Sequence, residues 1–244
     1  MAHRMRTRRK TPGGRMMTYL YLDIETIPAQ DAAARERIAA TVKPPAAMKK
    51  AETIAQWEAE QKPAAVEEAV AKTSLNGAYG HICCIGWAVD NGEPQSYSMC
   101  DFSLEEEAEM LSHFFEALRR EHDMRFAVTV VGHNVSGFDI RFIWQRCFAL
   151  GIRVPAWFPK DPKPWGDDVF DTMTAWAGAR DTISMENLCA ALGLPGKGSV
   201  DGSMIGKMFA DGRHEEIAAY CRKDIERTRA IHRKMMVTLG EIAA

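Results

Sequence analysis

The sequence predicts an α/β fold: a mixed β-sheet flanked by helices, in a single domain with a helical insertion after its first strand. Three observations carry this. Tyr19-Leu-Tyr-Leu-Asp-Ile-Glu-Thr26 is rich in the aromatic and branched residues that fill a central strand. His81–Val89 and Gln95–Cys100 are strand-like runs joined through Asp90-Asn91-Gly92, a strong hairpin signal, so the third strand is antiparallel to the second. Beyond them helix and strand patterns alternate to the last long helix, which favours a mixed sheet covered on its faces.

Taken in order, residues 1–15 are basic, contain Gly and Pro, and lack core residues, so a disordered tail is expected, with the folded domain spanning 16–244. The stretch 28–72 is rich in Ala, Glu, Lys and Pro. It shows helical patterns around Asp31–Ala40 and Met48–Gln61, with Pro44, Pro45 and Pro63 as breakers, and reads as an insertion lying over the domain. Residues 103–120 form an amphipathic helix with Ser103 as N-cap, Glu105–Glu107 in its first turn, and Leu104, Ala108, Leu111, Phe115 and Leu118 facing the core. Phe126–Val131 is a short apolar strand, and Gly132–Asp139 turns from it into a helix reaching Leu150. A loop rich in Pro and Trp leads to a short strand at Val169–Asp171. Ser184–Leu192 is a helix, Gly196–Ser203 a glycine-rich loop, and Glu215–Leu239 the last helix.

Composition narrows the function classes. The 244 residues carry 31 basic and 33 acidic side chains, a net charge of -2, so bulk charge does not make the chain a polyanion binder. Any site for nucleic acid must be local. Cys83, Cys84, Cys100, Cys147, Cys189 and Cys221 show no metal-binding spacing and read as buried free thiols in a reducing compartment. No apolar run approaches the roughly 18 residues of a membrane span, and no signal peptide is evident. A cytoplasmic protein without membrane attachment is expected.

The residues that carry chemistry are carboxylates. Asp23 and Glu25 are set two apart in the first strand, so both project from one face, roughly 6–7 Å apart. Such a pair on an apolar strand needs a proton, a basic partner or a divalent cation. Asp139 lies where an apolar strand has ended and a helix begins, the place where ligand sites of open α/β sheets collect; a helix N-cap is the plainer reading. Tyr220 and Asp224 are four apart on the last helix, on the face that carries Ile217, Thr228 and Ile231, so both point inward and need partners. A Tyr–Asp hydrogen bond or an ion pair with a nearby Arg would also satisfy them. Asp171 reads as structural.

Together, Asp23-Ile-Glu25, Asn134…Phe138-Asp139 and Tyr220-x-x-x-Asp224 resemble the three exonuclease motifs of the DEDD superfamily, over residues 18–240. The tyrosine marks the DEDDy branch, which includes the proofreading domains of DNA polymerases. The Asn-x-x-x-Phe-Asp spacing, the segment Lys43…Trp57, the run Ser184…Gly193-Leu-Pro-Gly-Lys197 and Asp201-Gly-Ser203 are similar to stand-alone predicted 3′–5′ exonucleases related to the family-B polymerase exonuclease domain.

The resemblance implies a ribonuclease H-like sheet and hydrolysis of phosphodiester bonds from the 3′ end of single-stranded DNA with two divalent cations, Mg²⁺ or Mn²⁺. By the same resemblance, Asp23 bridges both ions, Glu25 and Asp224 complete the nucleophile's ion, and Asp139 holds the other. Tyr220 orients the attacking water, since a phenol with an ordinary pKa of about 10 is a poor base at neutral pH. The backbone at Ile24 and Thr26 and the side chains of Asn134 and Phe138 are candidates for holding the terminal nucleotide, although a core role fits Phe138 as well. Lys197, Lys207, Arg213, Arg222 and Lys223 are candidate phosphate contacts. RNA or short oligonucleotides are an alternative substrate, and a catalytically inactive nucleic-acid-binding module is an alternative of another class. No protein partner is legible.

Leu194-Pro-Gly-Lys-Gly-Ser199 fails as a phosphate-binding loop, because Ala191 and Gly198 stand where Gly and Ser or Thr are required. His81 with Cys83 and Cys84 lacks a second ligand pair for zinc, and His133 reads as structural.

Overall fold

The computed structural model describes residues 16–121, 126–163, 166–196, 198 and 201–242. The basic segment 1–15, expected to be disordered, lies outside them, as does Lys197.

β1 (Met16–Ile27) is the organising strand of a five-stranded sheet. It pairs antiparallel with β2 (His81–Val89), which pairs antiparallel with β3 (Gln95–Ser98). On its other edge it pairs parallel with β4 (Phe126–Gly132), which pairs parallel with β5 (Val169–Asp171). The order β3-β2-β1-β4-β5 makes one mixed sheet flanked by helices, a single domain of ribonuclease H-like type. The hairpin turn forms where expected: Asp90 takes a positive φ of 50° and Gly92 N–H donates to Val89 C=O at 2.8 Å.

The alternation of β1 divides its environment. Leu20, Leu22 and Ile24 enter the main core, which α4 (Leu104–Glu121) and α5 (Asp139–Leu150) supply with Met110, Phe114, Leu118, Ile140 and Phe142. The other face of β1 carries Tyr19, Tyr21, Asp23 and Glu25. Tyr21 packs with Ala88, Val131 and Ile225, the last from α9 (His214–Thr238).

Three expectations are corrected here. The inward face of α4 is Glu107, Met110, Leu111, Phe114, Phe115 and Leu118, whereas Leu104 is exposed. Glu107 is not a first-turn surface charge. It is fully buried: Arg146 Nε and Nη2 each donate to it at 2.8 Å, Ile82 N–H donates at 2.9 Å, and His81 Nδ1 lies 3.0 Å away. Burial raises the Glu107 carboxyl, but the bonds from His81 and Arg146 outweigh it and hold the group below the usual carboxylate range. Cys100 is exposed, while the other cysteines are buried free thiols.

The segment 28–72 holds three helices, α1 (Ala32–Thr41), α2 (Ala51–Glu60) and α3 (Lys62–Ala71). Pro63 starts the third instead of breaking the chain, because its missing N–H costs nothing in the first turn. Two short helices also escape the sequence pattern, α6 (Thr172–Ala177) and α8 (Ile205–Ala210). Between them lies α7 (Met185–Ala191), capped by Ser184. Among the described residues no helix is long and apolar enough to cross a membrane.

His232, on α9, sits under β1 with its Nδ1 3.0 Å from Tyr21 Oη, and its Nε2 is buried with no hydrogen-bond partner among the described residues. Burial, with the Arg233 charge, pushes this imidazole down to about 4. A depressed folded pKa means that the unfolded chain binds the extra proton between pH 6.5 and 4, so stability falls as pH drops through that window. Between pH 7 and 5 the loss from this group is expected to be about 2 kcal/mol. Urea melts of the wild type and His232→Gln at both pH values check this: the variant should show a smaller loss, and equal losses would refute it.

Candidate active site

The carboxylates of β1 stand as its alternation requires, on the face that α9 covers. The antiparallel register sets Asp23 opposite Gly86 and Glu25 opposite Cys84, and the ladder shifts between Glu25 and Thr26. Such an irregularity re-aims side chains at the end of a strand. Glu25 is buried, and Asp23 is half-buried. α9 lies close against this surface. A Cβ on Gly86 would fall 2.6 Å from Cys221 Sγ, so only glycine admits the helix at this depth. Cys221 Sγ thereby reaches Asp23 Oδ2 at 3.5 Å.

Asp23, Glu25 and Cys221 offer ligand atoms that all lie within 4.8 Å of one another. The thiol is held well above its usual range by its hydrogen bond with Cys84, by burial, and by the charges of Asp23 and Glu25, so it stays protonated. The donors that remain are carboxylate oxygens, which suit a hard divalent cation.

Asp139 is brought to the same stretch of β1. The pairing of β1 with β4 runs only to Tyr21–Val131. Past that point the edge of β1 has lost its strand neighbour, and Asp139 takes over: Ile24 N–H donates to its Oδ1 at 3.0 Å. Asp139 is buried and opens α5 without being its cap, which is Phe138. The turn before it is held by Asp171. Its Oδ1 accepts from Asn134 N–H at 2.9 Å, and its Oδ2 accepts from Ser136 N–H and Oγ at 3.0 and 2.5 Å. His133 bridges Thr172 Oγ1 and Ile183 C=O, a structural use.

α9 contributes Tyr220 and Asp224, both buried. Asp224 Oδ1 accepts from Arg227 Nη1 at 2.6 Å, and Arg227 Nε donates to Gly196 C=O at 3.1 Å. A guanidinium therefore balances this carboxylate. Asp139 and Asp224 stand outside the close group of Asp23, Glu25 and Cys221.

Of the substrate-binding candidates, the Ile24 N–H is committed to Asp139, and Thr26 Oγ1 donates to Ser74 C=O at 2.7 Å. The Ile24 N–H and the Thr26 hydroxyl thus serve the fold, and the backbone of Thr26 is the candidate contact that remains there. Asn134 adopts a positive φ of 62°, and Phe138 is half-buried with its ring 5.5 Å from that of Phe142. Lys207 and Arg213 are paired with Asp211 and Glu216, Arg222 donates to Ser96 Oγ, and Lys223 is exposed. Cys221 and Arg227 were not singled out from the sequence. The Asp224–Arg227 spacing of three on a helix is the signal that finds the second; nothing in the pattern marks the first.

Comparison with known proteins adds to this geometry. The chain's fold is similar to the family B DNA polymerase of the hyperthermophilic archaeon Pyrobaculum calidifontis, with a TM-score of 0.56 and 14% identity. The likeness covers 90% of this chain and 24% of that one, so the chain spans about a quarter of the polymerase's length. No curated protein matches the chain. A family model described as a predicted 3′–5′ exonuclease related to the exonuclease domain of PolB matches residues 75–244. That stretch includes Asn134, Asp139, Tyr220 and Asp224, while β1 lies before it and joins it through the sheet. The chain belongs to this family of predicted 3′–5′ exonucleases related to the PolB exonuclease domain.

Proposed function

We propose that the protein is a metal-dependent 3′–5′ exonuclease that releases nucleoside monophosphates from the 3′ end of single-stranded DNA, using two divalent cations, Mg²⁺ or Mn²⁺. The observation that carries this reading is the convergence of Asp23 and Glu25 on one face of β1, under α9, with Asp139 docked on the backbone between them. Asp23, Glu25, Asp139 and Asp224 would hold the ions. Divalent cations bound there supply charge stabilisation for the attacking and leaving oxygens of an in-line displacement.

The chain's own residues do the rest. Asp23 and Glu25 are fixed on a central strand, so their separation does not depend on a loop. Asp139 fastens α5 to β1 and thereby aims its second oxygen. Tyr220, one turn before Asp224, orients the attacking water. Asn134 and Phe138, in the turn clasped by Asp171, hold the terminal nucleotide. Arg227 neutralises Asp224 until a cation replaces its charge.

The test is degradation of 5′-labelled single-stranded DNA and RNA of one sequence, with Mg²⁺, with Mn²⁺ and with EDTA. A one-nucleotide ladder that shrinks from the 3′ end, runs faster on DNA and vanishes in EDTA is expected. No cleavage of either polymer with either metal would overturn the proposal, and faster cleavage of RNA would overturn its substrate.

A further inference from the structure

A groove runs along the flank of α5, from Ser136 in the turn that precedes Asp139 to Phe148. Ser136, Ile140, Arg141, Trp144, Phe148 and Lys160 are among the residues that line its volume of about 220 Å³. Ile140, Trp144 and Phe148 follow one another at the spacing of a single helix stripe, Ser136 lies in the turn before the helix, and Asp139 opens it. From Asp139 to Phe148 the stripe rises about 14 Å, long enough for a few nucleotides of an extended strand.

The chemistry of the groove is unusual for a solvent-facing helix. Phe148 is 66% exposed, beside half-buried Trp144 at a centroid distance of 5.4 Å. Trp144 is held in place, because its Nε1 donates to Pro159 C=O at 2.7 Å. Lys160 Nζ lies over both rings, 5.6 Å from Trp144 and 5.8 Å from Phe148. Arg141 is exposed one turn nearer the site. The acidic member of the lining, Asp161, is paired with Lys163, whose hydrogen bond holds the carboxyl below its usual range. Counting Arg141 and Lys160 against Asp161, the lining of the groove is net positive in a chain whose net charge is -2.

An exposed ring set beside a half-buried one and flanked by cations is the arrangement that binds unpaired bases by their faces and phosphates by charge. We propose that this groove is the track for the single-stranded nucleic acid lying 5′ of the scissile nucleotide, with Phe148 and Trp144 as the stacking platform and Arg141 and Lys160 as phosphate contacts. A base arriving on the rings displaces the Lys160 ammonium, which then reaches the adjoining phosphate. Duplex is rejected, because its bases are stacked on each other and have no face to offer. The proposal rests on the exonuclease reading for the direction of the strand.

The test compares wild type, Phe148→Ala and Lys160→Gln. Binding of a labelled octathymidylate and of a duplex of equal length is followed by fluorescence anisotropy in EDTA. Hydrolysis of the p-nitrophenyl ester of thymidine 5′-monophosphate, too short to reach Phe148, is followed with Mn²⁺. Phe148→Ala is expected to weaken octathymidylate binding about tenfold and to leave ester hydrolysis and duplex binding unchanged. Lys160→Gln should flatten the salt dependence of octathymidylate binding by about 0.7 in log–log slope. Equal octathymidylate affinities for wild type and Phe148→Ala, or an equal loss on the duplex, would overturn the track. A wild type that cleaves neither the ester nor octathymidylate would overturn the exonuclease reading instead, while the anisotropy still decides the groove.

Discussion

Asp23→Ala is expected to lower exonuclease turnover by at least about a thousandfold while the protein stays folded. Removing a single group that stabilises transition-state charge costs about 10²–10³ in rate, and under the proposed function Asp23 would serve both cations. The fold should not suffer. Asp23 is half-buried, faces Glu25 across one strand face, and sits against a protonated thiol. Alanine there removes a like-charge neighbour from the buried Glu25, so the thermal midpoint of the metal-free protein should stay level or rise. The Mn²⁺-induced rise in that midpoint, which mass action gives any protein whose folded state binds the ion, should shrink. Turnover assays with melts in EDTA and in Mn²⁺ check all three outcomes. Wild-type turnover in the variant would remove Asp23 from the site, and a collapsed melt in EDTA would make it structural.

The second large effect is on stability and lies away from the carboxylates. Arg146→Ala is expected to destabilise the protein by about 3–5 kcal/mol, because it leaves Glu107 buried without its counter-charge. For a chain of this size that is a fall of roughly 10 °C in the thermal midpoint. Arg146 does more than pair: its Nη1 also donates to Gly77 C=O at 3.0 Å, so it ties β2, α4 and the segment before β2 together. Joint replacement, Glu107→Leu with Arg146→Met, should recover part of the loss: it removes the unpaired charge, but Ile82 N–H, His81 and Gly77 C=O lose their partners. Thermal melts of the single and double variants measure this. An Arg146→Ala midpoint equal to wild type would show that the buried carboxylate finds another partner.

The placement of Asp23 and Glu25 on one face was legible in the sequence because a strand has only two faces, and a run of eight residues suffices to set them. The inward face of the last helix was legible for a similar reason: Ile217, Tyr220, Asp224, Thr228 and Ile231 recur at helical spacing, and all are buried. Glu107 was misread because first-turn acids are ordinary at helix starts. What buries it is Arg146, 39 positions along the chain, and no local pattern announces such a partner. Leu104 was assigned inward by the same slip of face. Pro63 reads as a break because proline interrupts a helix interior, yet it is tolerated in the first turn, where Gln61 is the cap and Pro63 the second helical residue. α6 and α8 are each six residues long, too short for a period to show. Cys221 could not be found at all, since its meaning comes from what is missing opposite it.

That missing side chain at Gly86 works as a spacer of zero thickness. The separation between β2 and α9 is set where backbone meets a single sulfur, not where two flexible side chains negotiate, and β1 is paired to β2 beside it. The relative placement of Asp23 and Cys221, 198 positions apart in the chain, is thus fixed as a machinist fixes a clearance, by bringing one finished surface against another. Atoms that take no part in chemistry then define the tolerance to which the chemistry is built. A site of this kind is most easily put out of true at the one position that contributes no functional group.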